Sequence, residues 1–352
     1  MTIEQAAAAV RPPCGESMRQ ARRRFDEIAM PLGSLGLLQE AVVQLAGAQR
    51  TPRPTIAKRA VVMFCADNGV VAEGVTQCGQ EVTAAVTENM GRGLSAVCLM
   101  AQRIGMDRFP VDIGVAREVR GAALLRRKIR CGTGNIAREP AMTREQARRA
   151  VETGIELAEM LAEKGYTLLC GGEMGIGNTT TSAAVTAALT GASAESVTGR
   201  GAGLSTEGLG RKVRAVQAAL ALHRPDPADP LDVLHKVGGL DLAGLCGLYL
   251  GAAACGVPAV LDGVISCAAA LAAVRLCPAV RGYLIAAHRS AEPAGALLLD
   301  ALGFAPFIDA GMRLGEGTGA VAAVGLLDLV FAAYDGMPRF DETGIDAYQP
   351  QT

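Results

Sequence analysis

The chain has 352 residues, half of them hydrophobic and a fifth charged, so it is not disordered and can bury a large core in one or two domains. Its 34 Lys and Arg residues against 35 Asp and Glu residues give a net charge of −1, which argues against a nucleic-acid-binding protein. Aromatic residues are only 3% of the chain, so a base-stacking surface is not expected. The 43 glycines predict tight turns and backbone that approaches a ligand closely.

Short β-rich segments alternate with longer segments of helical periodicity, taken here in chain order. The predicted strands are 59–66, 107–114, 166–171, 257–262 and 282–287, and the predicted helices are 81–105, 143–164, 181–189 and 210–222. This alternation is typical of a Rossmann-like α/β fold, with a mostly parallel sheet and helices on both of its faces. We expect residues 1–55 and 326–352 to form a small helical domain, and residues 56–325 to form the large α/β domain.

The cysteines and the apolar segments indicate where in the cell the protein is expected and whether it holds a metal. Ten cysteines include no C-x-x-C pair and there are only three histidines, so no zinc-site spacing appears and a metal is not expected. A reducing cytoplasm fits these cysteines, and the first 25 residues lack the apolar core of a signal peptide. Residues 242–261 carry no charge, but four glycines and Pro258 interrupt them, which favours two buried elements over a membrane span.

A glycine-rich turn follows the predicted strand 166–171 and opens a helix. From Gly172 the sequence reads G-x-x-x-x-G-x-T, which matches a phosphate-binding P-loop except that Asn178 stands where the Lys belongs. Backbone amides and the helix N-terminus still form an anion cradle, whereas the charge for a triphosphate is missing. The pattern therefore favours a monophosphate site over an ATPase. The alternative is a tight turn that serves packing only.

A second glycine cluster, 315–319, places Glu316 between glycines at the start of a helical run, and a third cluster lies at 199–203. A carboxylate in this position either caps the helix or projects into a site as a general base, and the sequence leaves both open. Other polar positions, residues 67–69, Asp112, Asp262 and residues 290–292, mostly follow or end predicted strands. Ligands of open α/β sheets bind at the edge formed by the carboxyl ends of the strands.

At these residues the sequence resembles the nicotinate-nucleotide–dimethylbenzimidazole phosphoribosyltransferases of cobamide biosynthesis. The resemblance covers about residues 25 to 330 in the family order. It rests on seven segments: PLGSLG (31–36), ADNGVVAEGV (66–75), CGTGNIAREPAM (131–142), GGEMGIGNTT (171–180), KVGGLDLAG (236–244), PAVLDG (258–263) and MRLGEGTGA (312–320).

The resemblance implies transfer of the 5-phosphoribosyl group of nicotinate mononucleotide to a small aromatic base, with inversion to an α-riboside and without a cofactor or metal. It also implies a dimer with its active sites near the interface. Glu316 would be the general base and Glu173 a second acid. The residues that would hold the phosphate and ribose are Gly175, Asn178, Thr179, Thr180, Gly203, Lys212, Ser290 and Arg313.

Several positions depart from the family pattern. Asn68 stands where the family usually has His, and Cys78 and Val86 replace hydrogen-bonding side chains of the base pocket, to which Leu314 would add an apolar wall. An apolar pocket suggests a phenolic acceptor, as in the branch of the family that makes phenolic cobamides, whereas repacking around dimethylbenzimidazole is the alternative.

Two other functions remain open. Some enzymes of the phenolic branch are heterodimers of paralogues, so this chain could be a subunit that needs a partner. The Gly-rich turns alone could suggest a dinucleotide-dependent oxidoreductase, but no ribose-binding acid follows a second strand at the expected spacing.

Overall fold

The computed structural model describes residues 1–349, and at its centre lies a six-stranded sheet in which every neighbouring pair of strands is parallel. The strands are β1 (Arg59–Ala66), β2 (Asp107–Gly114), β3 (Leu125–Arg126), β4 (Leu168–Met174), β5 (Ala259–Leu261) and β6 (Leu284–Ala286). Their spatial order is β3-β2-β1-β4-β5-β6. The predicted Rossmann-like fold is thereby confirmed, and only the two-residue β3, too short to show a periodicity, was not predicted.

Helices cover both faces of this sheet. They are α1 (Ile3–Ala9), α2 (Gly15–Glu27), α3 (Gly36–Gln49), α4 (Glu81–Arg92), α5 (Ala96–Arg103), α6 (Arg144–Glu163), α7 (Asn178–Thr190), α8 (Ala194–Val197), α9 (Thr206–His223), α10 (Pro230–Val237), α11 (Leu240–Ala254), α12 (Val264–Leu276), α13 (Ala294–Leu302), α14 (Thr318–Gly336) and α15 (Phe340–Thr343). Residues 69–73 and 278–283 form 3₁₀ turns.

The single helix predicted over 81–105 is wrong, because the chain forms two helices there. α4 ends at Gly93, whose φ of +79° is left-handed, and α5 begins after Ser95. A glycine in this conformation ends a helix by satisfying its last carbonyl groups, here through the amide of Gly93. A lone Gly inside an apolar pattern did not reveal this break. The ends of α6 were easier to predict, since Thr143 and Gln146 form a capping box.

The strand order changes direction between β1 and β4. β2 and β3 lie on one side of β1, whereas β5 and β6 lie beyond β4 on the other. Cys65 pairs with Met174, so the chain leaves both strands at the same edge of the sheet. Crossover connections run in opposite directions from such a point and leave a crevice, which is where ligands of this fold class bind.

Alternation along β1 divides the core into two halves. Val62 and Phe64 belong to the cluster packed with α6, α11 and α12, whereas Val61 and Met63 face α3, α5 and α14. The uncharged segment 242–261 lies in the first half as most of α11, a turn and β5, so it forms two buried elements as expected.

Glycine lets α11 contact α6 through the backbone. A Cβ atom on Gly247 would overlap the carbonyl oxygen of Val151, and one on Gly154 would overlap that of Gly244. The glycine excess therefore serves helix packing as well as the turns that the composition predicted.

α14 is long and apolar enough to cross a membrane by length and composition alone, with half of the relevant window buried. It packs on α3, α5, β4 and β5, so it is a helix of the protein core.

The two ends of the chain meet on this side of the sheet. The ring of Phe25 in α2 lies 4.6 Å from that of Tyr334 in α14, and Ile28 forms a bridge with Arg339. α1, by contrast, packs on α6 and α11. The three-part division at residues 55 and 325 stays a proposal, and its second boundary falls within the continuous helix α14.

Candidate active site

A cavity of about 670 Å³ opens at the carboxyl edge of the sheet, beside the ends of β4, β5 and β6. All three glycine-rich segments singled out in the sequence reach it. The predicted site residues that line it are Cys78, Glu173, Gly175, Asn178, Thr179, Gly203, Ser290, Arg313, Leu314 and Glu316. Lys212 and Thr180 lie behind this wall and are completely buried, and Val86 packs partly buried against the α14 side of the core.

The first glycine turn connects β4 to α7 along one wall of the cavity. Gly177, with a φ of +96°, is the residue before the first turn of α7, and no side chain caps this end of the helix. Gly175 lies so close to Ala66 and Asp241 that a Cβ atom would overlap their oxygens. The N-terminus of α7 therefore points its partial positive charge at the cavity, as an anion site requires.

A buried lysine supports this wall from behind. Lys212 of α9 is 0% exposed, and its Nζ donates to Thr179 Oγ1 at 2.7 Å. Burial lowers the pKa of Lys212 to about 8, although the carboxylate of Glu292 opposes that shift. Glu292 also accepts from the amide of Gly201 at 3.1 Å and so holds the 199–203 loop beside the lysine. The cation missing from the P-loop pattern thus comes from a different helix.

The second glycine turn carries Glu316 and leads into α14. Gly315, Glu316 and Gly317 have φ values of +83°, +65° and +97°. Glu316 is one of only three non-glycine residues with a positive φ among residues 1–349, and such a conformation costs about 1–2 kcal/mol. A strained residue held in place by its surroundings is typical of a functional site.

Asp262 caps α14 and thereby frees Glu316 from that role. Its carboxylate accepts from the amides of Gly317 at 3.1 Å, Gly319 at 2.6 Å and Ala320 at 3.2 Å. The Glu316 carboxylate instead turns toward the start of α5, where the amide of Val97 lies 3.5 Å from Oε2. Glu316 is therefore not the cap of its own helix, and its role as general base stays a prediction.

Two of the acids that line the cavity, Glu316 and Glu173, have raised pKa values. Burial raises the pKa of Glu316, the charge of Asp262 adds to this, and hydrogen bonds from Val97 and Ser95 oppose it. Burial raises the pKa of Glu173 to about 8, together with the charges of Asp241 and Asp262. Glu173 is 6% exposed, so its proton lies at the bottom of the cavity.

His288, which sequence reasoning did not single out, lies 3.6 Å from Asp262 through Nε2 and lines the cavity. Burial lowers the pKa of His288, but its contacts with Asp262 outweigh burial and raise it overall. His288 follows β6 closely, and this position at the end of a strand could have identified it from the sequence.

The far wall of the cavity consists of residues 75–78 and the loop before Glu316. Cys78 is half-buried there, whereas the side chain of Leu314 is 61% exposed. Leu314 lines the cavity from this exposed position, and its role as an apolar wall of the base pocket stays a prediction. Among residues 1–349 no group of three His, Cys, Asp or Glu side chains is arranged to hold a metal ion.

A family model described as a phosphoribosyltransferase, DBI_PRT, matches residues 10–345. The chain therefore belongs to this family, and it is a phosphoribosyltransferase, an enzyme of the glycosyltransferase type. Similar proteins are more narrowly named. The nicotinate-nucleotide–dimethylbenzimidazole phosphoribosyltransferase of Acetivibrio thermocellus is 48% identical over 336 residues, which cover 96% of each protein. The protein of that name from Ruminiclostridium cellulolyticum is 44% identical over 350 residues, 99% of each protein.

A solved structure is also similar. The crystal structure of CobT from Thermus thermophilus superimposes with a TM-score of 0.90 at 44% identity, covering 95% of this chain and all of the other. The family resemblance inferred from the seven motifs is thereby confirmed.

Proposed function

We propose that this enzyme transfers the 5-phosphoribosyl group of nicotinate mononucleotide to 5,6-dimethylbenzimidazole, the acceptor that names the similar proteins. The observation that carries the proposal is Glu316, a partly buried carboxylate in a strained turn that faces a phosphate-type helix N-terminus across one cavity.

The phosphate of the nucleotide binds at the first glycine turn. The N-terminal end of α7, with its partial positive charge, and the hydroxyl of Thr179, polarised by Lys212, favour an anion there. Further groups on the cavity wall, from Gly203, Ser290 and Arg313, hold the phosphate and the ribose. Thr180 lies inside the wall, whereas Asn178 lines the cavity and donates its side-chain amide to Glu173 and Asp241.

The chemical step breaks one bond at C1′ and makes another. The free azole nitrogen of the acceptor attacks C1′ from the face opposite nicotinate, which inverts the β bond to an α bond. The electron pair of the old glycosidic bond neutralises the pyridinium nitrogen, so nicotinate leaves without needing a proton. Glu316 takes the N–H proton of the acceptor as its nitrogen becomes substituted.

Burial suits Glu316 to this task, because a raised pKa brings a carboxylate closer to the range in which it accepts a proton efficiently near neutral pH. Holding the azole in line with C1′ supplies much of the remaining acceleration.

A phenolic acceptor is the second candidate. Cys78 lines the cavity where a hydroxyl would otherwise contact an azole, and this supports it. Val86 does not line the cavity, so only half of the sequence argument for an apolar pocket remains.

A product assay with nicotinate mononucleotide tests these proposals, with dimethylbenzimidazole, adenine, phenol and p-cresol offered separately. We expect an α-riboside phosphate with dimethylbenzimidazole, and about 10²–10⁴-fold slower turnover in Glu316→Gln because the base is lost. Glu145→Gln, an exposed carboxylate on α6, is the control and should turn over normally. Preference for phenol would show that the acceptor is a phenol and not dimethylbenzimidazole. Equal rates in the Glu316 and Glu145 variants would refute the assignment of Glu316 as the base.

We also propose that the chain is active as a homodimer in the cytoplasm. Exposed apolar side chains such as Leu94, Leu99 and Leu329 support a second copy, and ten free thiols support a reducing compartment. Sedimentation of the active enzyme tests the first point: a mass of two chains agrees with it, and activity only after a paralogue is added would contradict it.

A further inference from the structure

Behind the cavity lies a second buried carboxylate that the proposed reaction does not use. Asp241, in the first turn of α11, is 0% exposed and does not line the cavity. Its Oδ2 accepts from Asn178 Nδ2 at 3.1 Å, and the same nitrogen donates to Glu173 Oε2. One side-chain amide therefore uses both of its hydrogens to join two carboxyl groups, only one of which reaches the substrate.

This arrangement lacks a cation. No Lys or Arg in the described part of the chain forms an ion pair with Glu173 or Asp241. Two like charges joined by a neutral amide in a dry environment are unfavourable, so the pair retains one proton near neutral pH. The two acids share this proton, and their surroundings decide which of them keeps it.

Asp241 is the better site for the charge. Its Oδ1 accepts from the amide of Leu242 at 3.0 Å, and it lies at the N-terminal end of α11, where the helix dipole favours an anion. Burial raises the pKa of Asp241 to about 6 but that of Glu173 to about 8. Hydrogen bonds from Asn178 and the amide of Glu316 oppose the rise at Glu173 without cancelling it.

The other groups around Glu173 agree with this assignment. Those facing it from the neighbouring elements are Cys65 of β1, Asp262 after β5 with its partner His288, and Glu316 before α14. Asp262 adds a further negative charge, so the surroundings favour the neutral form of Glu173.

We propose that Asp241 is a positioning residue that acts through Asn178 to keep Glu173 protonated, so that Glu173 donates a hydrogen bond to an oxygen of the bound nucleotide. Glu316 then accepts the proton of the acceptor, while Glu173 stays neutral. The catalytic part of this inference rests on the proposed function, whereas the ionisation of Glu173 does not.

Loss of the Glu173 proton sets the sign of the pH effect. Glu173 loses its proton as the pH rises, and kcat falls with it on the alkaline side. Removing the charge of Asp241 favours ionised Glu173, so Asp241→Asn should move this alkaline limb to lower pH by about one unit. In a Glu173→Gln background the limb is absent, and Asp241→Asn should cause no shift. A merely structural role would instead lower kcat at every pH in both backgrounds.

The matched control is Asp112→Asn. Asp112, near the end of β2, is also a buried aspartate, with 3% exposure. Unlike Asp241, it pairs with a lysine, Lys128, and like Asp241 it does not line the cavity. We expect the alkaline limb of this variant to stay where it is in the wild type. An equal shift in both variants would overturn the proposal, because general charge removal would explain it.

Infrared spectroscopy tests the ionisation without relying on turnover. The protonated-carboxyl band at pH 7 should be present in the wild type, absent in Glu173→Gln, and weaker in Asp241→Asn. The wild-type titration needs no change at Asp241, so it decides the ionisation of Glu173 even where that variant does not fold. Absence of the band in the wild type overturns the proposal. Its presence in an enzyme that makes no product supports the neutral form of Glu173 and refutes only the proposed function.

Discussion

The two glycine turns at the cavity have nearly the same backbone but opposite uses. Gly177 and Gly317 precede α7 and α14 with φ values of +96° and +97°. Because both N-cap residues are glycines, neither has a side chain that could cap its helix. At α14 the carboxylate of Asp262 accepts from three amides, whereas at α7 no side chain caps the helix and Gly177, Asn178 and Thr179 line the cavity. The first helix end thus holds an internal carboxylate, and under the proposed function the second receives the phosphate of the nucleotide.

The two turns differ in how rigid and how open each of them has to be. The α14 turn carries Glu316, whose proton transfer needs a fixed position, and an internal anion provides that whether or not substrate is present. The α7 turn must remain open to bind an anion and release it, so its positive charge comes from Lys212 behind the wall.

Among changes to the groups that support the two turns, the largest effect is expected from removing the negative charge of Asp262. Asp262→Asn keeps the shape of the side chain but loses the charge-assisted bonds to three amides, so Glu316 is no longer held in its strained conformation. We expect kcat to fall about 100-fold, with a smaller change in the KM for nicotinate mononucleotide. Steady-state kinetics would show this.

The exposed Asp309→Asn is the control for that variant. An Asp262→Asn enzyme with wild-type kcat would show that the cap does not position Glu316, and the contrast between the two turns would lose its meaning.

A smaller effect is expected at the other turn. Lys212→Met preserves length and burial but removes the charge behind Thr179, so the KM for nicotinate mononucleotide should rise about tenfold with less change in kcat. Lys128→Met, a lysine that binds backbone carbonyls away from the cavity, should leave this KM unchanged. A change in kcat alone would contradict the phosphate role.

The smallest effects are expected from a pair of matched substitutions, one in each turn. Gly177→Ala and Gly317→Ala impose the same left-handed strain, and each new Cβ would lie 3.0 Å from a valine methyl group, that of Val71 or Val61. Each should lower the free energy of unfolding by about 1–2 kcal/mol. Gly177→Ala should mainly raise KM and Gly317→Ala should mainly lower kcat, by a few-fold each. Identical kinetic changes would mean that the turns do not divide the work.

The sequence predicted what depends on local pattern. β1 and β2 have the predicted ends because apolar runs bounded by polar residues mark them, and the glycine turns were identified from spacing alone. The break at Gly93 was missed because one glycine inside an apolar run carries little weight.

Contacts between distant parts of the chain were beyond reach of the sequence pattern. Asp262 reaches amides more than 50 positions away, and Asn178 reaches Asp241 over 63 positions. The residues responsible look like ordinary caps until the fold brings their partners to them. Lys212 was assigned only through the family resemblance, since nothing in its own segment marks it.

The backbone contact between α6 and α11 has a consequence for engineering. Where Gly247 meets Val151 there is no side chain to trim or enlarge, so the position of α11 and of Asp241 cannot be adjusted by conservative substitution. The 75–78 loop, in contrast, is partly exposed and forms the opposite wall. Directed evolution toward bulkier acceptors should therefore accumulate changes in that loop and leave the glycines of the helix crossing untouched.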